Sequence, residues 1–366
     1  MKSTPARDGF RMPAEWERHA GTWMLWPERH DNWRDGALPA QRAFAAVARA
    51  IAVSEPVTMG VSAQNFEQAR AALPAGVRVV EISSNDAWMR DVGPTFVVDR
   101  RGRLRGVDWI FNAWGGQEGG AYAPWDLDDQ VAAKVLEIER CERYRAPFVL
   151  EGGAIHVDGR GTLVTTEECL LNRNRNPDLK RGQIESLLER YLGVRAIVWL
   201  PRGVCNDETD GHVDNLCCFV RAGEVALTWC EDREDPQYEI VREAFEALQK
   251  ARDARGKALK VHRIMQPAPM VMTAQEAAGI EASPGTRPRV AGDRLAASYV
   301  NFYIANRQVV MPLLDPRTDR GAKTAIARLF PGRKVIGIPS REILLGGGNI
   351  HCITQQQPRA RGDASL

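Results

Sequence analysis

Glu151-Gly152-Gly153-Ala154-Ile155-His156-Val157-Asp158-Gly159-Arg160-Gly161-Thr162-Leu163-Val164-Thr165 decides the architecture, because it is one unit of a pattern that recurs along the chain. A polar, glycine-bearing loop leads into a short apolar strand, Ala154 to Val157. A charged glycine turn follows, and Thr162 to Thr165 return as a second strand. Upstream, Asp91-Val92-Gly93-Pro94 leads into Thr95 to Val98, a turn from Asp99 to Gly102, and Leu104 onward. Downstream, Asp210-Gly211-His212-Val213-Asp214 leads into Leu216 to Val220, a turn from Arg221 to Glu224, and Val225 to Trp229. Tyr299-Val300-Asn301 leads into Phe302 to Ala305 and, past Asn306, Val309 to Leu313. In the fifth unit Gly346 to Asn349 leads into Ile350 to Thr354.

Helical periodicity separates these hairpins. Val131, Val135 and Ile138 are spaced i, i+4, i+7, and Ile184, Leu187, Leu188, Tyr191 and Leu192 fill an amphipathic stripe. Val241, Ala244, Phe245 and Leu248 make another, opened by Asp235-Pro236. Phe44, Val47, Ala48 and Ile51 form one near the start, and Ile326, Leu329 and Phe330 form one before Gly332. Apolar strands at Ala196 to Leu200, Leu259 to Ile264 and Val335 to Ile338 bring the chain back to the next loop. None of the five units can bury its apolar face alone, which predicts a closed α/β ring with pseudo-fivefold symmetry and loops converging on one central site. Residues 266–297 lack periodicity and read as an extended insertion or lid. No linker divides the chain, so residues 1–366 are expected to form a single domain.

Composition narrows the function classes. The 366 residues are 44% hydrophobic and 26% charged, ordinary values for a globular chain, with a net charge of +2. No block of like charge marks a nucleic-acid binder. No apolar run approaches the ~18 residues of a membrane span, and Met1 to Arg11 are polar, without the apolar core of a signal peptide. The seven cysteines form no C-x-x-C pair, which favours reduced thiols in a cytoplasm over a disulfide framework or a structural zinc site.

The loops hold the chemistry. Asp86, Asp91, Glu151, Asp207, Glu208, Asp210 and Asp214 stand there against Arg90 and His212, so converging loops would make an anionic pocket for a cationic ligand. Gly346-Gly347-Gly348 lets the backbone present one side chain into a cleft, and Cys352 follows as the candidate covalent nucleophile. If Ile350 to Thr354 are extended, His351 points to the opposite face from Cys352, and the more distant His212 is the better partner. His212 and Asp214, two apart, would share a face. An unperturbed thiol is only a few per cent ionised at neutral pH, and carboxylates would depress that further, so the bound cation must help ionise it. Rival readings are structural: a buried inert thiol for Cys352, core packing for Cys217 and Cys218, strand hydrogen bonds for His351 and His156, and core or cleft wall for Trp88 and Trp114. A metal on Glu208, His212 and Asp214 is the remaining alternative, although the histidine pairs of zinc hydrolases and HExxH are absent from the sequence.

Five segments together resemble the agmatine deiminase family of guanidino-group-modifying enzymes, related to bacterial-type peptidylarginine deiminases. They are Trp88 to Pro94, Glu151 to Gly153, Cys169 to Pro177, Glu208 to Asp214 and Gly346 to Gln356. The resemblance implies a five-bladed α/β propeller, the pentein fold, with ββαβ-type repeats. It implies hydrolysis of agmatine to N-carbamoylputrescine and ammonia, a step toward putrescine in polyamine metabolism. On it, Asp91 and Asp214 hold the guanidinium, Cys352 attacks its carbon, and His212 serves as acid and then base. Glu151 and Glu208 orient or polarise this set, and Trp88 and Trp114 wall the alkyl chain beside Gly347 and Gly348. No metal or organic cofactor is implied. The partner is a small cationic guanidine, with no nucleic acid and no membrane; a homo-oligomer is compatible with the sequence.

The same motifs serve enzymes of peptidyl or free arginine, and free arginine would need a cation for its carboxylate. A non-catalytic binder of polyamine-like cations would have no use for Cys352. An amidino transferase would differ only in its products.

Overall fold

The computed structural model describes residues 3–360. Met1 and Lys2, the start of the polar Met1 to Arg11 stretch, lie outside the described residues, as do residues 361–366. The strands assort into five separate sheets. Four follow one plan: an antiparallel hairpin, a helix, then a strand added parallel to the second strand of the hairpin. Glu224–Trp229 pairs antiparallel with Cys217–Arg221 and parallel with Lys260–Met265, and the helix Gln237–Lys250 makes the crossover. A parallel neighbour cannot be reached by a tight turn, so the amphipathic stripe in each unit becomes that crossover. Its apolar face, here Ile240, Val241, Ala244 and Leu248, packs on the sheet with Leu227 and Trp229.

The same plan joins Thr95–Asp99, Leu104–Ile110 and Glu142–Val149 through the helix Val131–Ile138. It joins His156–Val157, Thr162–Thr166 and Ala196–Leu200 through Arg181–Leu192. It joins Tyr303–Ile304, Gln308–Leu313 and Lys334–Pro339 through Asp319–Leu329. The fifth sheet is assembled from distant parts of the chain. His19–Leu25 lies parallel to Val57–Val61 across the helix Leu38–Ala52, and Arg78–Glu81 follows. Its first strand, Gln355–Pro358, comes from the far end of the chain and pairs antiparallel with His19–Leu25.

The structure corrects the predicted strand starts. A single helical turn stands where the second and third units were expected to pass straight into strand, Gly152–Ala154 and Val213–Leu216. The first unit's strand begins at Thr95 as expected, and the turn Met89–Val92 lies within its loop. Phe302 and Ala305 fall outside a strand of only Tyr303–Ile304. The largest change is at Ile350 to Thr354, which is a turn, with the strand beginning at Gln355. Asn349 Oδ1 accepts the Ile350 N–H at 3.0 Å, and Thr354 Oγ1 donates to the carbonyls of Ile350 at 2.9 Å and His351 at 3.1 Å. These local bonds compete with a strand ladder and win. The alternating-face argument for Cys352 with His351, and for His212 with Asp214, therefore does not apply.

Residues 266–297 are irregular except for the helix Ala274–Ala278, which a Thr273/Glu276 capping box opens. The segment is tied down at several points. Arg287 N–H donates to the Ala121 carbonyl at 2.8 Å, and Thr286 Oγ1 donates to Asp31 Oδ2 at 2.7 Å. Among the described residues no helix is long and apolar enough to cross a membrane.

Candidate active site

The five helical turns and loops meet edge to edge. Asp91, on the turn Met89–Val92, accepts the Gly153 N–H on Oδ1 at 2.8 Å and the Trp114 indole N–H on Oδ2 at 3.0 Å. Gly153 must be glycine for this closure. A Cβ there would stand 2.6 Å from His212 Nδ1, 2.9 Å from Asp91 Oδ1 and 3.1 Å from Asp214 Oδ2. His212, just before the turn Val213–Leu216, has Nδ1 3.8 Å from Asp91 Oδ2 and Nε2 3.8 Å from Glu151 Oε2. Cys352 Sγ lies 3.6 Å from Asp214 Oδ2 and 3.2 Å from Asn301 Nδ2, and the Arg90 N–H donates to the Cys352 carbonyl at 3.0 Å. Residues from all five units thus meet at one buried centre.

Three of its polar atoms, Glu151 Oε2, His212 Nε2 and Asp214 Oδ1, are buried without a hydrogen-bond partner among the described residues. Buried polar groups are otherwise almost always paired, so two acceptors left over on carboxylates are suited to a ligand rich in donors. Glu151 stays ionised. Burial opposes its charge, but Arg175, whose Nε sits 2.7 Å from Glu151 Oε1, draws its pKa down to about 2. Burial likewise disfavours a charged His212, yet Asp91, Cys169 and Glu151 outweigh it and hold the imidazolium well above the usual range. Asp91 is pushed up to about 6, by burial first, with His212 opposing and Asp214 and Glu151 adding to the rise. Burial, then Asp214 and Asp91, raise the Cys352 thiol well above its ordinary value.

A cleft leads to Cys352 and Asp91, walled by Trp88, Trp114, Tyr122 and the glycines Gly346 to Gly348. Trp88 and Trp114 meet edge to face with centroids 6.4 Å apart, and Trp88 Nε1 donates to Asp86 Oδ2 at 2.9 Å. A Cβ on Gly348 would lie 2.5 Å from the Trp88 ring and 3.1 Å from Cys352 Sγ, so the bare backbone gives both their room. Gly347 has φ +110°, a conformation open to glycine.

Glu208 lines the same cleft as Asp91 and Cys352. Arg289 binds both its oxygens, at 2.5 and 3.0 Å, so it sits in the cleft wall in an ion pair and not against His212. The metal set Glu208, His212 and Asp214 is thereby broken up. Two other triads bring ligand atoms within 4.8 Å of one another, Glu151 with Cys169 and His212, and Glu15 with His156 and His351. Their donor types suit zinc. In the first, Arg175 takes Glu151 Oε1 and leaves Oε2 facing His212 Nε2, and in the second His351 Nε2 lies within hydrogen-bond distance of Glu15 Oε2.

The expectation of a uniformly anionic pocket also needs correction. The reacting end is anionic, but Arg29, Arg287 and Arg289 line the cleft farther out. Two of them, Arg287 and Arg289, come from residues 266–297, the stretch read as an extended insertion or lid, though neither arginine was singled out there. Sequence reasoning missed Asn301 and Arg175 as site residues. Asn301 was legible in principle, because it precedes the fourth hairpin as Cys352 precedes the fifth.

A buried thiol, an imidazolium and paired carboxylates, brought together by five like α/β units, define a guanidino-group-modifying enzyme. A family model described as Porphyromonas-type peptidyl-arginine deiminase matches residues 11–358, and the chain belongs to that family. It is 60% identical over 361 residues to an agmatine deiminase of Pseudomonas aeruginosa (strain LESB58), covering 98% of each chain. It is 59% identical over 360 residues to one of Stutzerimonas stutzeri (strain A1501), again covering 98% of each. A solved structure of the agmatine deiminase of Enterococcus faecalis superposes with a TM-score of 0.96 at 48% identity, covering 98% of both chains.

Proposed function

We propose that the chain hydrolyses the guanidinium of agmatine to N-carbamoylputrescine and ammonia through a covalent thiouronium on Cys352. The placement of the Cys352 thiol 3.6 Å from Asp214, with Asp91, Glu151 and His212 closing the same centre, carries this reading. The activity of the near-full-length relatives supports it.

Asp91 and Asp214 hold the planar guanidinium by charge-assisted hydrogen bonds. Its arrival adds a positive charge beside the thiol and reverses part of the rise the carboxylates impose. The thiol gives its proton to Asp214 Oδ2, 3.6 Å from Sγ, and Sγ bonds to the central carbon as the guanidinium C=N electron pair moves onto nitrogen. The His212 imidazolium, already charged, gives its proton to the departing nitrogen as the C–N bond breaks, and ammonia leaves. Neutral His212 next takes a proton from the water that attacks the thiouronium. The C–S bond breaks, the ureido product departs, and the sulfur recovers its proton. Glu151, anchored by Arg175, steadies the imidazolium; Trp88 and Trp114 line the path of the alkyl chain.

The five sheets, on this reading, are the blades of a closed five-bladed propeller forming one domain, with residues 266–297 as a lid on the cleft. The hydrogen bonds linking successive loops support the ring. Cys169, Cys217, Cys218, Cys230 and Cys352 are buried thiols outside any disulfide, which fits a reducing cytoplasm.

Free arginine is the second reading, and one observation favours it. The Arg287 guanidinium lines the cleft and donates, among the described residues, to the carbonyls of Gly119 at 3.0 Å and Glu208 at 3.5 Å, the kind of cation an α-carboxylate needs. Ammonia and ureido-product formation from agmatine, free arginine and an arginyl peptide, with Cys352→Ser as control, decides. Preferential turnover of agmatine, lost in the variant with binding retained, is expected; full activity in Cys352→Ser removes the thiol mechanism.

A further inference from the structure

His351 is buried between two carboxylates, one in the site and one outside it. Its Nδ1 lies 2.8 Å from Asp214 Oδ2, and its Nε2 lies 2.9 Å from Glu15 Oε2. An ionised carboxylate only accepts, so both ring nitrogens donate and the ring is an imidazolium. Glu15, from the segment before His19–Leu25, is itself held from other sides. Its Oε1 accepts the Ile304 N–H at 2.7 Å, and His156 Nε2 stands 3.4 Å from its Oε2. His156 Nδ1 accepts the Phe219 N–H at 3.3 Å, so a neutral His156 carries its proton on Nε2, facing Glu15. That proton, and the one on His351 Nε2, fill the positions a metal would need. Arg90 completes the set, its Nε 3.3 Å from the His351 carbonyl and its Nη1 2.8 Å from Gln356 Oε1. Two anions, Glu15 and Asp214, balance two cations, His351 and Arg90.

We propose that Glu15 and His351 are positioning residues for the deimination, acting through Asp214. The column Glu15–His351–Asp214 occupies Asp214 Oδ2 with a cation and leaves Oδ1, the unpartnered oxygen, for the guanidinium. Asp214 is buried close to Asp91, and its burial favours the neutral acid. The His351 hydrogen bond and charge outweigh that burial and lower its pKa. His351 is in turn raised: burial and Arg90 oppose its charge, and Glu15 and Asp214 overcome them. The neighbouring His156 is pushed down by burial and does not compete for the charge. A cation with a raised pKa gives full support below its ordinary pKa and loses it as pH rises through the raised one. Weakening Glu15 must therefore move that loss to lower pH.

The inference rests on the deiminase reading, and its test separates the two. In full-length protein, Glu15→Gln keeps the shape and removes the charge. Agmatine turnover by this variant is expected to fall roughly 10–100-fold, as when an outer partner of a site residue is removed. The alkaline limb of its kcat/KM profile is expected at lower pH than in the unsubstituted enzyme, with Glu15→Asp restoring part of the shift. A Glu15→Gln profile that superposes on the original, with only thermal stability reduced, overturns the proposal. Nitrogen-15 NMR of the unsubstituted protein, assigned with His351→Gln, gives an answer even where Glu15→Gln does not fold. Two protonated nitrogens on His351 at pH 8 are expected, and a neutral ring at pH 7 overturns the proposal. Absence of agmatine turnover in the unsubstituted protein refutes the deiminase reading, while the NMR result still judges the charge of the column.

Discussion

Cys352 Sγ lies 3.6 Å from Asp214 Oδ2, so the proposed nucleophile has an anion for a neighbour. Activated thiols usually sit beside cations or helix N-termini, which lower their pKa. Here burial and two carboxylates act in the other direction. The free enzyme should hold a protonated, unreactive thiol at pH 7. Alkylation of Cys352 by iodoacetamide should stay slow until well above the ordinary thiol range. A small guanidinium salt that fills the Asp91–Asp214 position without reaching the alkyl channel should accelerate it. Rapid alkylation of the free enzyme at pH 7 would contradict this picture.

Burial pushes the Asp91 carboxyl up to about 6, and its proposed contact with the guanidinium needs it ionised. The sign follows directly: kcat/KM for agmatine should decline as pH falls through about 6 and be flat just above it. Bound substrate stabilises the carboxylate, so the corresponding limb in kcat should lie at lower pH. A kcat/KM profile flat down to pH 4.5 would show that Asp91 does not meet the substrate as a carboxylate.

Gly153→Ala places a Cβ 2.6 Å from His212 Nδ1. The imidazole or Asp91 must shift, and a displacement near 1 Å at such a centre costs on the order of 10²-fold in rate. The expected result is a folded protein, judged by circular dichroism and Tm, with kcat reduced by about that factor. Near-normal kcat would mean that the loops can part there without cost.

Arg289 joins Glu208, the Gly346 carbonyl at 2.6 Å and Asn32 Oδ1 at 2.8 Å. Arg289→Gln should loosen the cleft wall while sparing Asp91, His212 and Cys352. An ion pair partly open to water contributes up to about 1 kcal/mol, which predicts a rise in KM of roughly fivefold with kcat little changed. A collapse of kcat instead would place Arg289 in the chemistry.

The parts of this fold that repeat were the parts the sequence revealed. Ala196–Leu200 and the helices that bury Val131, Ile184 and Val241 coincide with their apolar patterns, because burial on one face imposes that pattern directly. The turn at Ile350 to Thr354 was misread as a strand because Ile350 and Ile353 are apolar. Side-chain bonds from Asn349 and Thr354 settle its shape, and those leave no periodic trace. Asp91, Glu151, His212, Asp214 and Cys352 were legible as polar groups crowded into glycine-rich loops. Arg289 and Glu15 were not, since nothing local distinguishes them from the chain's other charged residues. Their places follow from pairings across 81 residues to Glu208 and 336 residues to His351.

The antiparallel pairing of Gln355–Pro358 with His19–Leu25 has a consequence for the order in which the molecule is made. During translation Asp91, Glu151 and His212 leave the ribosome long before Cys352, and the strand that shares its loop is later still. A nascent chain therefore presents Asp91, Glu151 and His212 before Cys352 exists. A chain truncated before Gln355 would keep Cys352 but leave His19–Leu25 without its antiparallel neighbour, so the first-made and last-made strands of that sheet can pair only when synthesis is nearly complete.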